Sequence, residues 1–137
     1  MIYSSEREFQ VWDYTVSHQQ ILIRSPSTPE VRGNVDLIFL GVEYLGIPSS
    51  FHGLGLDVAS PEESAEVKRS LSGGWEGSGV YTLVSEGRRY SLVAAAFRVY
   101  ENDLDIFEST LEYFTKDARG PQPGELIVHS GMTRQTS

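Results

Sequence analysis

The chain has 137 residues, of which 39% are hydrophobic and 22% charged, and its formal net charge is -8. This length and composition predict one folded domain with its own core. The negative charge argues against nucleic acid as a partner, and the absence of cysteine excludes disulfides and thiolate metal sites.

The N-terminus lacks the features of a secretory signal. Glu6, Arg7 and Glu8 interrupt the region where such a signal needs an unbroken apolar core. No segment approaches the roughly 18 apolar residues of a membrane span. We therefore expect a soluble, cytoplasmic protein with no membrane contact.

The first predicted element is a β-hairpin. Trp12, Tyr14 and Val16 alternate with polar residues and are expected to share one strand face, and the apolar residues 21–23 form the second strand after a polar loop. Paired aromatics in a small β domain are most often core. The alternative is a ligand-binding wall to which Trp12, Tyr14 and Trp75 contribute.

The next segments predict a central strand, a short strand and one helix. Residues 35–48 are apolar in both registers and predict a strand covered on both sides and bent at Gly41. Residues 54–58 predict a strand with Leu54, Leu56 and Val58 inward. The helix should start at Ser60, with Glu63 completing a capping box, and end before Gly73.

Two further strands are predicted before an acidic segment. VYTLVS and YSLVAAAFRVY, joined by a turn at residues 86–88, predict a hairpin. In residues 104–115 the spacing of Leu104, Phe107, Leu111 and Phe114 fits a helix, but the β-type residues between them favour a strand, which is our prediction.

Five carboxylates follow one another in this region without an intervening base. They have two interpretations: a solvated edge that resists aggregation, or a site for a basic protein partner. They lack the pattern of a calcium loop. These residues are Glu101, Asp103, Asp105, Glu108 and Glu112.

The chain is expected to divide into a globular domain, residues 1–119, and a Pro/Gly-rich tail, residues 120–137. Within the tail, ELIVH predicts a last strand. Its apolar residues should either dock as an edge strand or pair with a second copy, giving a homo-oligomer.

No motif for catalysis, metal or cofactor binding is present. His18, His52 and His129 are far apart in the sequence, and none has a second metal ligand three or four residues away. The Gly-x-Ser-x-Gly nucleophile elbow is also missing. We therefore predict no catalytic residue, no metal and no cofactor.

The predicted fold class is mainly β (α+β): an antiparallel curled sheet, sandwich or barrel of about seven to eight strands with one short helix. The favoured function is a non-enzymatic interaction module, for instance a bacterial immunity-type or adaptor protein with an acidic binding face. A small-molecule-binding β-barrel is the alternative. An enzyme is least favoured and would require His52 and a carboxylate to converge in one concave pocket.

Overall fold

The computed structural model describes residues 1–71, 77–114 and 122–131. These residues form nine strands, one α-helix and one 3₁₀ helix. In chain order they are β1 (Tyr3–Thr15), β2 (Gln20–Ser25), β3 (Asn34–Leu40), β4 (Tyr44–Leu45), β5 (Ser50–Val58), α1 (Pro61–Ser70), β6 (Gly79–Ser85), β7 (Arg88–Ala94), β8 (Ala96–Asn102), the 3₁₀ helix (Thr110–Phe114) and β9 (Glu125–His129).

All nine strands belong to one antiparallel sheet, in the order β4-β7-β6-β5-β1-β2-β3-β8-β9. The predicted mainly β class is confirmed, and the sheet is not closed into a barrel. β1 lies in the middle of the sheet, between β2 and β5. The tail segment ELIVH is the strand at one edge, where it pairs with β8.

The sheet curls so that its inner face encloses the main core. Tyr81 of β6 contacts Phe39 of β3 and Phe97 of β8, with ring centroids 5.7 and 5.3 Å apart. β5, β1 and β2 separate β6 from β3 in the strand order, so this contact requires strong curvature. The inner face is filled by apolar side chains that are almost fully buried, as in close-packed protein interiors.

The two arms of the sheet meet at one corner. The Ala95 amide, between β7 and β8, donates to the carbonyl of Leu40 at 2.9 Å. Gly41 follows with φ +62°, and a Cβ atom added there would lie 2.9 Å from the Ala95 Cβ. The predicted bend at Gly41 is therefore present, and it divides the predicted single strand into β3 and β4.

Helix α1 has the predicted start. Ser60 Oγ accepts from the Glu63 amide at 3.1 Å, and a Glu63 carboxylate oxygen accepts from the Ser60 amide at 2.9 Å, which completes the capping box. The helix ends at Ser70, before the predicted terminator Gly73, which lies outside the described residues.

Three sequence predictions about local structure are wrong. YSLVAAAFRVY, predicted as one strand, is divided at Ala95 into β7 and β8, which lie in different parts of the sheet. The segment after β8 is not a strand: β8 ends at Asn102, and only the 3₁₀ helix Thr110–Phe114 follows before the described region stops. Val58, expected to face inward with Leu54 and Leu56, is 60% exposed because it lies at the very end of β5.

Candidate functional site

Residues 103–114, called here the acidic segment, cross the outer face of the sheet. Leu111 is fully buried there against Leu22 and Ile38, in a second and smaller apolar cluster. Ser109 Oγ donates to a carboxylate oxygen of Asp13 on β1 at 2.5 Å. The acidic segment thus lies on β1, β2 and β3 rather than extending the sheet.

A buried ion pair lies beneath the acidic segment. Arg24 on β2 and Asp36 on β3 are directly paired across the two strands, and both side chains are 0% exposed. Arg24 Nε and Nη2 donate to the two Asp36 carboxylate oxygens at 2.7 and 3.1 Å. Arg24 Nη1 donates to the Glu108 carbonyl at 2.9 Å. The guanidinium therefore joins the sheet to the middle of the acidic segment through directional hydrogen bonds.

Two asparagines extend this network to the beginning of the acidic segment. Asn102 Nδ2 donates to an Asp36 carboxylate oxygen at 2.8 Å, and Asn102 Oδ1 accepts from Asn34 Nδ2 at 2.9 Å. Asn34 Nδ2 also donates to the Leu104 carbonyl at 2.8 Å, and the Leu104 amide donates to Asn102 Oδ1 at 3.2 Å. A buried polar network with its groups satisfied in this way is rigid and fixes one arrangement.

Trp12 covers the other side of the arginine. Its ring centroid lies 5.4 Å from the Arg24 guanidinium carbon, within the range of a cation–π contact. The indole is half-buried against the outer apolar cluster. One face of the Trp12 ring is thus in contact with the protein's own Arg24.

Trp12 and Tyr14 do not share a face, so the sequence prediction is wrong on this point. The pairing of β1 with β2 shifts between Val11 and Asp13, which indicates a β-bulge at Trp12. Beyond the bulge Tyr14 pairs with Ile21, a residue of the inner core, and directly paired residues lie on the same face. Tyr14 is 40% exposed, near the end of β1.

The predicted ligand-binding wall is therefore not formed by Trp12 and Tyr14. Trp75, its third member, lies outside the described residues. The interior of the curled sheet, where such a ligand would bind, is filled by apolar side chains from both arms. The aromatic residues predicted as a ligand site offer no common concave surface in the described part of the chain.

All five predicted acidic residues have exposed side chains. They do not form one surface. Glu101 pairs with Val35, which faces the inner core, so it lies on the other face of the sheet from the acidic segment. Tyr3 packs against the same inner core, where burial mainly, and the Glu101 charge to a lesser extent, raise the pKa of Tyr3. Asp103, Asp105, Glu108 and Glu112 remain together on the acidic segment.

The histidines do not converge on a catalytic or metal site. His52 Nδ1 lies 2.9 Å from a Glu8 carboxylate oxygen, so one part of the condition for an enzyme, the approach of His52 to a carboxylate, is present. Both side chains are more than two-thirds exposed, however, and the surface pocket that Glu8 lines does not include His52. Across the three described stretches, no group of three or more potential metal ligands is present.

The buried network under the acidic segment was not among the features predicted from the sequence. Its signal was present: Asp36 interrupts an apolar run, and Arg24 directly ends another one. A charge inside a run that is apolar in both registers is a candidate for burial, and a buried charge needs a partner of opposite sign. Arg24 and Asp36 are such a candidate pair between the two runs, whereas Glu43, in the same run as Asp36, is exposed.

No protein family, curated protein or solved structure matches this chain. Neither helix in the described residues combines the length and apolar character needed to cross a lipid bilayer. The protein is therefore classified here by its fold alone. It is an open, curled antiparallel sheet whose outer face carries an acidic segment fixed by a buried ion pair.

Proposed function

We propose that this protein is a non-enzymatic interaction module, of the bacterial immunity or adaptor type and cytoplasmic, that binds a basic protein through its acidic segment. One observation supports this proposal: the acidic side chains are exposed on a backbone that is itself held in place. Asp103, Asp105, Glu108 and Glu112 expose their side chains. The backbone that carries them accepts hydrogen bonds from Arg24, a member of the buried ion pair, and from Asn34 beside it.

A fixed acidic segment suits partner recognition for two physical reasons. Its charges attract a basic surface over about 8–10 Å at physiological ionic strength and so raise the association rate. Its backbone is already ordered, so little conformational entropy is lost when the complex forms. The net charge of -8 adds to the same attraction.

Asp103 is the best position at which to test this proposal. No hydrogen bond or ion pair joins its carboxylate to any described side chain, whereas the Glu108 carboxylate accepts from the Asp105 amide at 3.0 Å. Asp103→Lys therefore changes the surface charge by two units without removing a hydrogen bond or ion pair of the described residues. Glu86→Lys, on the turn between β6 and β7, is a matched control with the same change in net charge.

The experiment begins with affinity capture from an extract of the source cells and identification of the bound protein by mass spectrometry. Association with that purified protein is then measured for the wild type, Asp103→Lys and Glu86→Lys. We expect Asp103→Lys to slow association several-fold at about 0.01 M salt and to have a smaller effect at about 0.15 M. Equal rates for Asp103→Lys and Glu86→Lys at low salt would contradict the proposal.

A further inference from the structure

The turn in the middle of the acidic segment presents two adjacent large apolar side chains to solvent. Phe107 is 90% exposed and Ile106 is 56% exposed. By contrast Phe9, Phe39, Phe51 and Phe97 are at most 3% exposed. Phe107 is thus the exception among the phenylalanines whose side chains the structure describes. We call Ile106 and Phe107 the apolar tip.

Four hydrogen bonds hold the turn that carries the apolar tip, one from the Phe107 amide and three made by the flanking residues Asp105 and Glu108. The Phe107 amide donates to an Asp105 carboxylate oxygen at 3.0 Å, and the Asp105 amide donates to a Glu108 carboxylate oxygen at 3.0 Å. The Glu108 amide donates to the Asp105 carbonyl at 2.9 Å. Arg24 then binds the Glu108 carbonyl from below. These bonds fix the turn that carries Ile106 and Phe107, and the Phe107 side chain, 90% exposed, contributes little packing of its own.

The surrounding charges select the kind of occupant. Asp105 and Glu108 flank the apolar tip directly, and Asp103 lies nearby on the acidic segment. An anionic lipid surface, a nucleic acid and a second copy of this chain would all bring negative charge toward these carboxylates. A protein surface with basic residues around an apolar pocket would instead satisfy both the carboxylates and the phenyl ring.

We propose that Phe107, supported by Ile106, is an anchor that inserts into an apolar pocket rimmed by Lys or Arg on a partner protein. This inference rests on the proposed function and adds the chemistry of the partner's site. The carboxylates and the anchor have separable effects. Exposed charges act mainly on the association rate, whereas a buried aromatic anchor acts mainly on the dissociation rate.

The probe is a phage library that displays folded fragments of proteins from the source genome, selected on the wild-type chain at about 0.15 M salt. The most enriched fragment is expressed as a soluble protein, and its binding is measured by surface plasmon resonance. The variants are Phe107→Ser, the conservative Phe107→Tyr, and Val58→Ser as a control at another exposed apolar residue, which is 60% exposed. Thermal unfolding of each variant verifies that it is folded.

We expect Phe107→Ser to raise the dissociation constant at least about tenfold, mostly through faster dissociation, since truncation of a central aromatic anchor has effects of this size. Phe107→Tyr should retain most of the affinity, and Val58→Ser should bind as the wild type does. The inference is overturned if Phe107→Ser and Val58→Ser bind alike, or if the selection enriches nothing above background.

Asp103→Lys in the same assay separates this inference from the proposed function. If Asp103→Lys slows association while Phe107→Ser changes nothing, the acidic segment binds the partner, and the inference that Phe107 is an anchor is wrong. If only Phe107→Ser has an effect, the basic rim and the proposed function are both wrong. Light scattering on the wild type gives the remaining outcome: a dimer that Phe107→Ser dissociates would identify a second copy as the occupant and overturn the inference.

Discussion

Arg24 and Asp36 face each other across β2 and β3 with both side chains inaccessible to solvent, and the arginine reaches on to the Glu108 carbonyl. Removing one partner of a buried pair leaves the other charge desolvated and unpaired. We expect Arg24→Met to lower the free energy of unfolding by about 3–5 kcal/mol in a urea titration. It should also speed amide hydrogen exchange at the apolar tip, because the hydrogen bond from Arg24 to the Glu108 carbonyl is lost.

Two further variants make this prediction specific. Arg24→Met combined with Asp36→Leu removes both charges and should be more stable than Arg24→Met alone. Arg69→Met removes an arginine whose ion pair with Glu66 is largely exposed, and it should change stability by less than about 1 kcal/mol. A single substitution at Arg24 that costs no more than the one at Arg69 would argue against the buried pair.

Ser60 should contribute to stability only through the start of helix α1. Ser60→Ala removes the acceptor for the Glu63 amide, and we expect a loss of about 0.5–2 kcal/mol in the same urea titration. Ser70→Ala, in the last turn of the helix, should be neutral or slightly stabilising because alanine has the higher helix propensity. Partner binding should be unaffected by either change.

Glu63 should make stability depend on acid pH. Hydrogen bonds from Arg89, at 2.9 and 3.0 Å, are the main cause that lowers the pKa of Glu63 from 4.5 to about 2. A carboxylate whose pKa is lowered by folding stabilises the protein fully above its unfolded-state pKa, and this contribution is lost as the pH falls from about 4.5 through about 2.

The wild type should therefore exceed Glu63→Gln in free energy of unfolding at pH 7, and the difference should shrink as the pH is lowered through this range. Because both side chains are partly exposed, solvent screening keeps the difference moderate. A difference between the two proteins that is the same at pH 7 and at about pH 3 would show that the ion pair is not its source.

Substitution of Gly41 by alanine should cost more stability than the same substitution at Gly87, another glycine with a positive φ. Gly41→Ala meets both a positive φ of +62° and the Ala95 Cβ, whereas Gly87 has φ +76° and open space around it. We expect Gly87→Ala to cost about 1–2 kcal/mol from backbone strain, and Gly41→Ala to cost clearly more. Comparable urea midpoints for the two variants would mean that the corner can relax.

The sequence predicted elements whose signals are local. Ser60 and Glu63 are three residues apart and bond to each other's backbone, so their spacing is enough to place the helix start. The alternation of Leu54 and Leu56 likewise places the inner face of β5. These predictions needed no knowledge of what packs against the element.

The failures arise where distant residues decide the structure. The β-bulge at Trp12 reverses the alternation that Trp12 and Tyr14 show in the sequence, and it is defined only by the register with β2. The acidic segment has β-type residues, but its backbone is bonded by Arg24 and Asn34, which lie far away in the chain. Tertiary hydrogen bonds here outweigh residue preference.

The central place of β1 in the sheet bears on how the chain folds. Glu8 of β1 meets His52 of β5 across 44 residues, and Asp36 of β3 meets Asn102 beside it across 66 residues. Hairpins such as β6–β7 can form early because they close short loops, but the curled sheet is complete only after these long loops close. Such high contact order places folding in the range of milliseconds to seconds. During that interval β5 lacks β1 as its partner and β3 lacks β8, so apolar strand edges stay exposed and this protein should need protection from aggregation mainly while it is being made.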